Sequence, residues 1–421
     1  MQDPGLIWLA GITIAVSVFL VTLLSTDTAI LLLIVSMLLS PEFSLAQVPG
    51  RSVVVRLDDL LLGVIFLTWL GKLAINKQLG VVRATPLNAP LGLLIVACLA
   101  STMWGMVNGT VTHPLAGTFY VIKYIEYFLL YFMVANVIHR EEQVRLFWRA
   151  MLITAVIVTV CAYVQIAQHG IVYRVSAPFE GKPEPNTLAG YLLLMMAACS
   201  GLALHAASTA YRVLMAALVV FMFPPFLFTY SRGAYLAFIV VYLVLCVLSK
   251  RYKPFLIVGL IIGVFAARTM LPPSVYERIA STFDPRSSVE VGGARLAASP
   301  AARVIVYRYV WEKWLERPVL GFGVTGIGFV DSQFALIIGE LGLLGIGAFV
   351  WLWWRIWGIG YRAFVTVTEP FAQGLTLGFM AGFAGLLVLS FAGNVFIIVR
   401  IMEPFWCLAA MVMLIPAFHD A

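Results

Sequence analysis

Apolar runs of about twenty residues recur along almost the whole chain, and each predicts a helix able to cross a membrane. Their order predicts an all-α fold, a polytopic helical membrane protein with about 12–13 transmembrane helices. The first two runs can also form one hairpin, which leaves the exact number open. We place the spans at residues 6–24, 28–45, 57–75, 88–107, 117–137, 146–168, 187–206, 211–229, 233–249, 253–271, 332–357, 373–391 and 395–416.

The apolar pattern has one long break, where polar and charged positions replace it between residues 272 and 330. The break contains six arginines and one lysine. We therefore divide the chain into transmembrane helices over 1–271, a large loop over 272–331 and C-terminal transmembrane helices over 332–421. The positive charge of the loop indicates an anionic partner outside the bilayer.

Composition agrees with a membrane protein, because 62% of the residues are hydrophobic and 11% are charged, with a mean hydropathy of +0.99. Soluble domains carry about 25% charged residues. The five cysteines lie inside apolar runs and indicate neither disulfides nor a zinc site. No nucleotide-binding glycine loop or metal motif occurs, so we expect no cofactor, no metal and no nucleic-acid partner. Asp58 and Asp59 could hold a divalent ion, although acids at a helix start are ordinary.

Positive charge alternates between successive short loops and predicts which membrane side each loop faces. By the positive-inside rule, the basic loops are cytoplasmic. Parity then places Arg232, the 272–331 loop and Asp331 together on the opposite, periplasmic or extracellular, face. The basic loops contain Lys72, Lys77 and Arg83; Arg140, Arg145 and Arg149; Arg212; Lys250, Arg251 and Lys253; and Arg355 and Arg362.

Arg232 follows a double proline, Pro224-Pro225, that we expect to break the preceding helix near its outer end. The next span starts within a residue or two, so this arginine stays near the membrane surface. It either reaches the lipid headgroups or points into a polar cavity.

Inside the large loop, Ser299-Pro300 predicts the start of an amphipathic helix that ends before Pro318. We expect this helix to lie along the outer membrane surface. Arg303 borders its apolar stripe. Arg308 lies on another face and fits a solvated surface, although it remains a weaker candidate for binding substrate.

Asp331 opens the next span and has two interpretations. It can cap the helix, because Asp is a good N-cap residue, or it can accept a proton from a bound hydroxyl. Deeper in the membrane, Lys123 with Glu126 and Arg400 with Glu403 are spaced to neutralise each other as ion pairs. Lys123 is also a weaker candidate for binding substrate.

The outer loop at residues 180–186 supplies a further cation, acids and an amide beside a helix start. Its candidate substrate-binding residues are Lys182, Glu184 and Asn186. We rank them below Arg232 and Arg303.

The order of these elements resembles the O-antigen ligase and polymerase superfamily of bacterial membrane proteins. The likeness extends over about residues 180–350. It consists of the turn Ser231-Arg232-Gly233-Ala234, then Arg303 four residues before Tyr307 with Trp311, then Arg317-Pro318-Val319-Leu320-Gly321-Phe322-Gly323, and finally Asp331-Ser332-Gln333-Phe334 leading into Glu340-Leu341-Gly342-Leu343-Leu344-Gly345.

The resemblance implies a GT-C-like, inverting and metal-independent glycosyltransferase of the bacterial inner membrane, with its active site facing the periplasm. The donor would be an oligosaccharide linked to undecaprenyl pyrophosphate, and the acceptor a glycan or a lipid. Arg232 and Arg303 would hold the pyrophosphate, and Asp331 would be the catalytic residue. Membrane lipids, chain-length regulators and flippases are the further partners that it suggests.

One departure from the family pattern favours the polymerase branch. The ligases have a histidine, usually followed by asparagine, where this chain has Asp331-Ser332. A ligase that transfers the glycan to lipid A-core remains the alternative. A transporter or flippase of a lipid-linked or anionic solute is the alternative from another class, and a membrane scaffold would leave these charged residues without a role.

Overall fold

The computed structural model describes residues 13, 16–48, 51–75, 83–249, 251–270, 272–280, 288–291, 294–328 and 330–419. Helices dominate this part of the chain. We number them α1 (16–24), α2 (Thr26–Leu39), α3 (Leu57–Ile75), α4 (Asn88–Val107), α5 (Pro114–Val137), α6 (Glu141–His169), α7 (Pro185–His205), α8 (Thr209–Phe228), α9 (Arg232–Leu248), α10 (Lys253–Met270), α11 (Pro273–Ala280), α12 (Ala298–Glu316), α13 (Gln333–Thr366), α14 (Pro370–Leu389) and α15 (Val399–His419).

Eight of the described helices are long and apolar enough to cross a membrane, so the chain is a multi-pass membrane protein. Shorter apolar helices occur in α2, α9 and α10. The predicted spans 57–75 and 88–107 coincide with α3 and α4 to the residue. The eight long helices are α4, α5, α6, α7, α8, α13, α14 and α15.

Two short hairpins correct the prediction of a purely α-helical chain. Strand β1 (Glu42–Val48) pairs antiparallel with β2 (Arg51–Arg56), and β3 (Ser288–Val291) pairs with β4 (Ala294–Ala297). The predicted span 28–45 was therefore too long. Helix α2 stops at Leu39, just before a proline whose ring cannot continue the helical hydrogen bonds.

The centre of the helical bundle is formed by α7, α14 and α15, whose residues are mostly buried. Glycines of α14 lie in its contact with α7. A Cβ placed on Gly378 would stand 2.5 Å from the Ala198 Cα of α7, so only glycine permits this approach of the two backbones.

Helix α12 packs beside the first turns of α13 and runs in the same direction. The Tyr307 and Ser332 hydroxyls are 2.6 Å apart, and the Leu343 N–H donates to the Pro318 carbonyl at 2.8 Å. Pro318 follows Tyr307 by eleven residues, and Leu343 follows Ser332 by eleven residues. The two segments therefore run parallel to each other. The Val310 face of α12 is buried against the start of α13 and the loop before it, and the expected orientation of α12 along the membrane surface stays a prediction.

Helix α13 is interrupted at Gly342, which has a φ of +61° that L-residues rarely adopt. The loop after α12 satisfies the backbone groups that the interruption releases. Phe322 N–H donates to the Gly339 carbonyl at 3.0 Å, and Gly323 N–H donates to the Glu340 carbonyl at 2.9 Å. Irregular backbone is tolerated in a spanning segment when protein groups satisfy it in this way.

Glu340, the carboxylate that the sequence places deep in α13, helps to fix this loop. Its Oε1 accepts a hydrogen bond from the Thr325 N–H at 2.8 Å. Ser101 Oγ of α4 lies 2.6 Å from the Glu340 carbonyl oxygen and 2.5 Å from the Leu320 carbonyl oxygen, and it can donate its one hydrogen to either. The loop that leads to Asp331 is thus held by two spanning helices.

Candidate functional site

The site is arranged around the turn between α8 and α9. Both prolines lie inside α8, which continues to Phe228, so the expectation that they end the helix was wrong. The chain reverses at Tyr230, whose φ is +52°. Its hydroxyl contacts the Ile171 carbonyl and lies 2.7 Å from the Ser274 Oγ. These contacts hold Tyr230 in a conformation that side chains rarely adopt.

The carbonyls of this turn receive two arginine side chains from other parts of the chain. Arg174 Nε donates to the Thr229 carbonyl at 3.1 Å, and Arg278 Nε donates to the Tyr230 carbonyl at 3.4 Å. Arg232 opens α9 two residues later, as the sequence predicts.

These residues and Arg303 form one group, which we call the arginine cluster: Arg174, Arg232, Arg278 and Arg303. Arg232 is repelled by the other three. Burial lowers the pKa of Arg174, and repulsion from Arg278 lowers it further. Concentrated guanidinium groups of this kind suit a phosphate or pyrophosphate, because each can donate two parallel hydrogen bonds.

Arg303 reaches the cluster from the packed side of α12. Its Nη2 donates to the Ala392 carbonyl in the connection between α14 and α15, at 3.4 Å. Arg308 is 75% exposed and pairs with Glu312 of the same helix at 2.9 Å. The structure therefore brings Arg303 to the cluster and leaves Arg308 outside it, on the solvated face.

Asp331 lies beside this cluster and does not cap α13. Ser332 occupies the N-cap position, so the helix-cap interpretation of Asp331 was wrong. The carboxylate reaches the surface next to Gly393, where a Cβ would stand 3.8 Å from its Oδ1. Partial withdrawal from water raises the pKa of Asp331, and the positive charge of Arg303 opposes this rise. A raised pKa makes Asp331 a stronger base than an ordinary aspartate.

A pocket of about 350 Å³ lies beside the loop before α7, and we call it the mixed-charge pocket. Its lining includes Lys182, Glu180 and Glu184 of the loop before α7. Burial raises the pKa of Glu184, and the negative charges of Glu42 and Asp331 add to the rise. Lys182 and Glu184 thus line one pocket, and Glu184 lies within electrostatic range of Asp331. Asn186 is exposed and is not part of the described lining.

Arg400 lines this pocket, and hydrogen bonds to the surrounding chain hold its side chain in place. It bonds to Glu42 at 3.2 Å and donates to the carbonyls of Leu38, Ser40, Pro178 and Phe179. The predicted Arg400–Glu403 pair was therefore wrong, because these acceptors from sequence-distant segments bind the guanidinium. Arg400 fixes the wall of the pocket.

A second group of charges lies deeper, and we call it the buried ion network: Arg56 with Asp58 and Glu403, and Lys123 with Asp59 and Glu126. Lys123 Nζ is 3.0 Å from Glu126, which confirms the predicted pair, and it also contacts Asp59. Lys123 lines a small pocket beside the mixed-charge pocket. Its two carboxylate partners account for its burial without a substrate.

Among the described residues, Asp58, Asp59 and Glu403 are close enough to hold a metal ion, with ligand atoms within 4.8 Å of one another. Asp58 and Asp59 already contact Arg56 and Lys123. These cations neutralise much of the charge that would attract a metal.

Sequence reasoning missed Arg174 and Arg278 as members of the site. Both are visible as basic residues of outer loops. Their hydrogen bonds to the 229–230 turn depend on the folding of separate segments around Tyr230, and no spacing in the sequence indicates that contact.

Comparison with known proteins identifies no relative: no protein-family model matches the chain, and no curated protein has significant sequence similarity to it. The geometry of the site therefore carries the functional argument.

Proposed function

We propose that this protein is an inverting, metal-independent glycosyltransferase that uses an undecaprenyl-pyrophosphate-linked glycan as donor at the periplasmic face of a bacterial inner membrane. The observation that carries the proposal is the position of Asp331. Its carboxylate interacts electrostatically with Arg303 of the arginine cluster, which suits a pyrophosphate, and with Glu184 of the mixed-charge pocket, which suits a hydroxylated acceptor.

In the proposed reaction, Asp331 activates the acceptor hydroxyl and the arginine cluster stabilises the leaving pyrophosphate. The acceptor hydroxyl oxygen forms a bond to the anomeric carbon of the donor while the bond from that carbon to the pyrophosphate oxygen breaks. Asp331 accepts the hydroxyl proton, and the electron pair of the broken bond leaves with the pyrophosphate. The arginine cluster stabilises the charge that develops there, an electrostatic contribution that is often the largest in catalysis.

The acceptor side has its own recognition groups. The carboxyl groups of Glu180 and Glu184 can accept hydrogen bonds from sugar hydroxyls, and Lys182 can donate one. A pocket of about 350 Å³ matches the size range of small-ligand sites.

Within this class, polymerisation of repeat units is the activity that we favour. The resemblance of the 180–350 segment to the O-antigen ligase and polymerase superfamily supports the class. The Asp331-Ser332 pair, where ligases have histidine, favours the polymerase branch.

The test incubates purified protein with a defined undecaprenyl-pyrophosphate oligosaccharide and resolves the products by size. A ladder of longer lipid-linked products is the expected result. Transfer only to added lipid A-core would identify a ligase. Absence of any new glycosidic bond, together with movement of the lipid-linked glycan across vesicle membranes, would overturn the proposal in favour of a transporter.

A further inference from the structure

A second cationic pocket lies at the opposite end of the bundle from Asp331. It has a volume of about 430 Å³ and is lined by the segment just before α4, by Tyr131 of α5 and by the C-terminal parts of α13 and α15. Arg362 lies 20 residues after the interruption at Gly342, which corresponds to roughly 30 Å of helix. A helix of that length crosses the bilayer, so this pocket opens at the other membrane face.

The polar groups of this pocket are suited to an anion. Arg83 and Arg362 line it, with Thr85 beside them. Among the described residues that line it there is no carboxylate, and neither arginine forms an ion pair with another described residue. Arg355 adds a third cation at the edge, where it donates to the Pro86 carbonyl at 3.4 Å.

Tyr131 adds a hydroxyl group to the lining of the pocket. Its side chain is fully buried, and its hydroxyl interacts with the side chain of Thr85, which also lines the pocket. Two hydroxyl groups that can hydrogen-bond to an oxyanion therefore lie beside the arginines.

The rest of the lining is apolar and includes Met413 and Leu414 of α15. The pocket therefore offers cations and a hydroxyl beside apolar surface at a membrane face. That combination matches a phosphate group attached to a glycerolipid, whose tails lie against the apolar side.

We propose that this pocket, which we call the Arg83–Arg362 site, binds a phosphate group, supplied either by an anionic phospholipid headgroup or by free phosphate. The guanidinium groups bind the phosphate oxygens, and the Tyr131 hydroxyl donates to one of them. This site is independent of the proposed transfer reaction at Asp331.

The experiment uses the purified full-length protein, delipidated in a neutral detergent. Native mass spectrometry measures binding of phosphatidylglycerol and, for comparison, phosphatidylcholine. Calorimetry measures binding of inorganic phosphate. The variants are Arg83→Gln/Arg362→Gln, the single change Arg362→Gln, and Tyr131→Phe. Arg308→Gln is the matched control, since this exposed arginine lies near the opposite end of the bundle.

Wild-type protein is expected to retain phosphatidylglycerol in preference to phosphatidylcholine, and the double variant to bind it about 10-fold or more weakly. Tyr131→Phe should give a smaller loss, and Arg308→Gln none. Loss of phosphate binding alone in the double variant would support the site with free phosphate as its ligand. Equal binding of both probes by wild type and by the folded Arg362→Gln variant would overturn the proposal, and thermal unfolding shows that this variant is folded.

Discussion

In the buried ion network, cations face carboxylates: Arg56 contacts Asp58 and Glu403, and Lys123 contacts Asp59 and Glu126. In the arginine cluster, like charges lie close together. Arg232 is repelled by three other arginines. Two of these, Arg174 and Arg278, are held in place by carbonyls of the 229–230 turn.

The difference distinguishes charged residues that stabilise the fold from charged residues that we propose bind substrate. Opposite charges that meet in a low-dielectric interior are each other's ligands, and removal of one leaves the other buried and unsatisfied. Like charges held close together attract an anion. We therefore expect the network to serve folding, and we propose that the cluster serves binding.

The strongest test of this distinction removes a cation from the cluster. Arg303→Gln and Arg232→Gln should each reduce glycan transfer about 100-fold or more, because each removes a donor that stabilises the leaving pyrophosphate. Steady-state kinetics with the lipid-linked donor measure the effect, and thermal unfolding should be little changed. Arg308→Gln is the control on the same helix as Arg303, and it should retain wild-type activity. Wild-type transfer by the Arg303 variant would remove the pyrophosphate role.

The cluster also shows what the sequence can and cannot predict. Apolar runs define the spans, and α3 and α4 match their predicted residues because a bilayer imposes the length of a helix. Arg232 and Arg303 were predicted from motif order. Arg174 and Arg278 were not, because their contacts depend on the left-handed conformation of Tyr230.

The same limit applies to α12 and α13. The sequence predicts that a helix ends before Pro318, and α12 ends at Glu316. It does not predict the interruption at Gly342, since the released backbone groups bond to a loop whose path depends on α4. Local propensity defines helices, whereas a tertiary contact decides where one of them breaks.

Asp331 is the next test, because it connects the cluster to the mixed-charge pocket. Asp331→Asn should lower kcat by about 100-fold to 10,000-fold while donor binding persists, as expected for loss of a general base. Asp331→His is expected to keep part of the activity. Full activity of the asparagine variant would contradict the role of this residue as a base.

The pH dependence of kcat/KM gives the same residue a second readout. The base acts when deprotonated, so activity should fall as pH drops through the raised pKa of Asp331, above the range of an ordinary aspartate. Arg303→Lys preserves the charge and should keep this acid limb near its wild-type position. Arg303→Gln removes the charge that lowers the pKa of Asp331. As the pH is lowered, this variant should therefore lose its residual activity at a higher pH than the wild type does.

A change in the buried ion network should affect stability and leave donor affinity unchanged. Lys123→Met leaves Asp59 and Glu126 facing each other without their cation, and we expect a loss of about 3–5 kcal/mol in the free energy of unfolding. Adding Glu126→Gln should restore part of it. Thermal unfolding and donor-binding measurements separate the two effects. A stable Lys123→Met variant with weakened donor binding would instead support the substrate-binding role predicted from the sequence.

The smallest expected effect concerns Glu180, in the mixed-charge pocket. Burial raises the pKa of Glu180 to about 8. Because the folded state favours the protonated carboxyl, its stabilising contribution is complete below the ordinary glutamate pKa, and it is lost as pH rises through about 8. Glu180→Gln resembles the protonated form and can still accept the Glu184 N–H bond that Glu180 Oε2 accepts at 2.8 Å.

We therefore expect Glu180→Gln to unfold roughly 2 °C above wild type at pH 9, with the difference disappearing towards pH 5. Glu312→Gln, which removes an exposed carboxylate of α12, should show no such pH-dependent difference. A Glu180→Gln variant that is less stable than wild type at pH 9 would show that the carboxylate is held in its charged form. The mixed-charge pocket would then resemble the buried ion network, with Arg400 neutralising Glu180, and the acceptor would have to compete with that contact for the carboxylate.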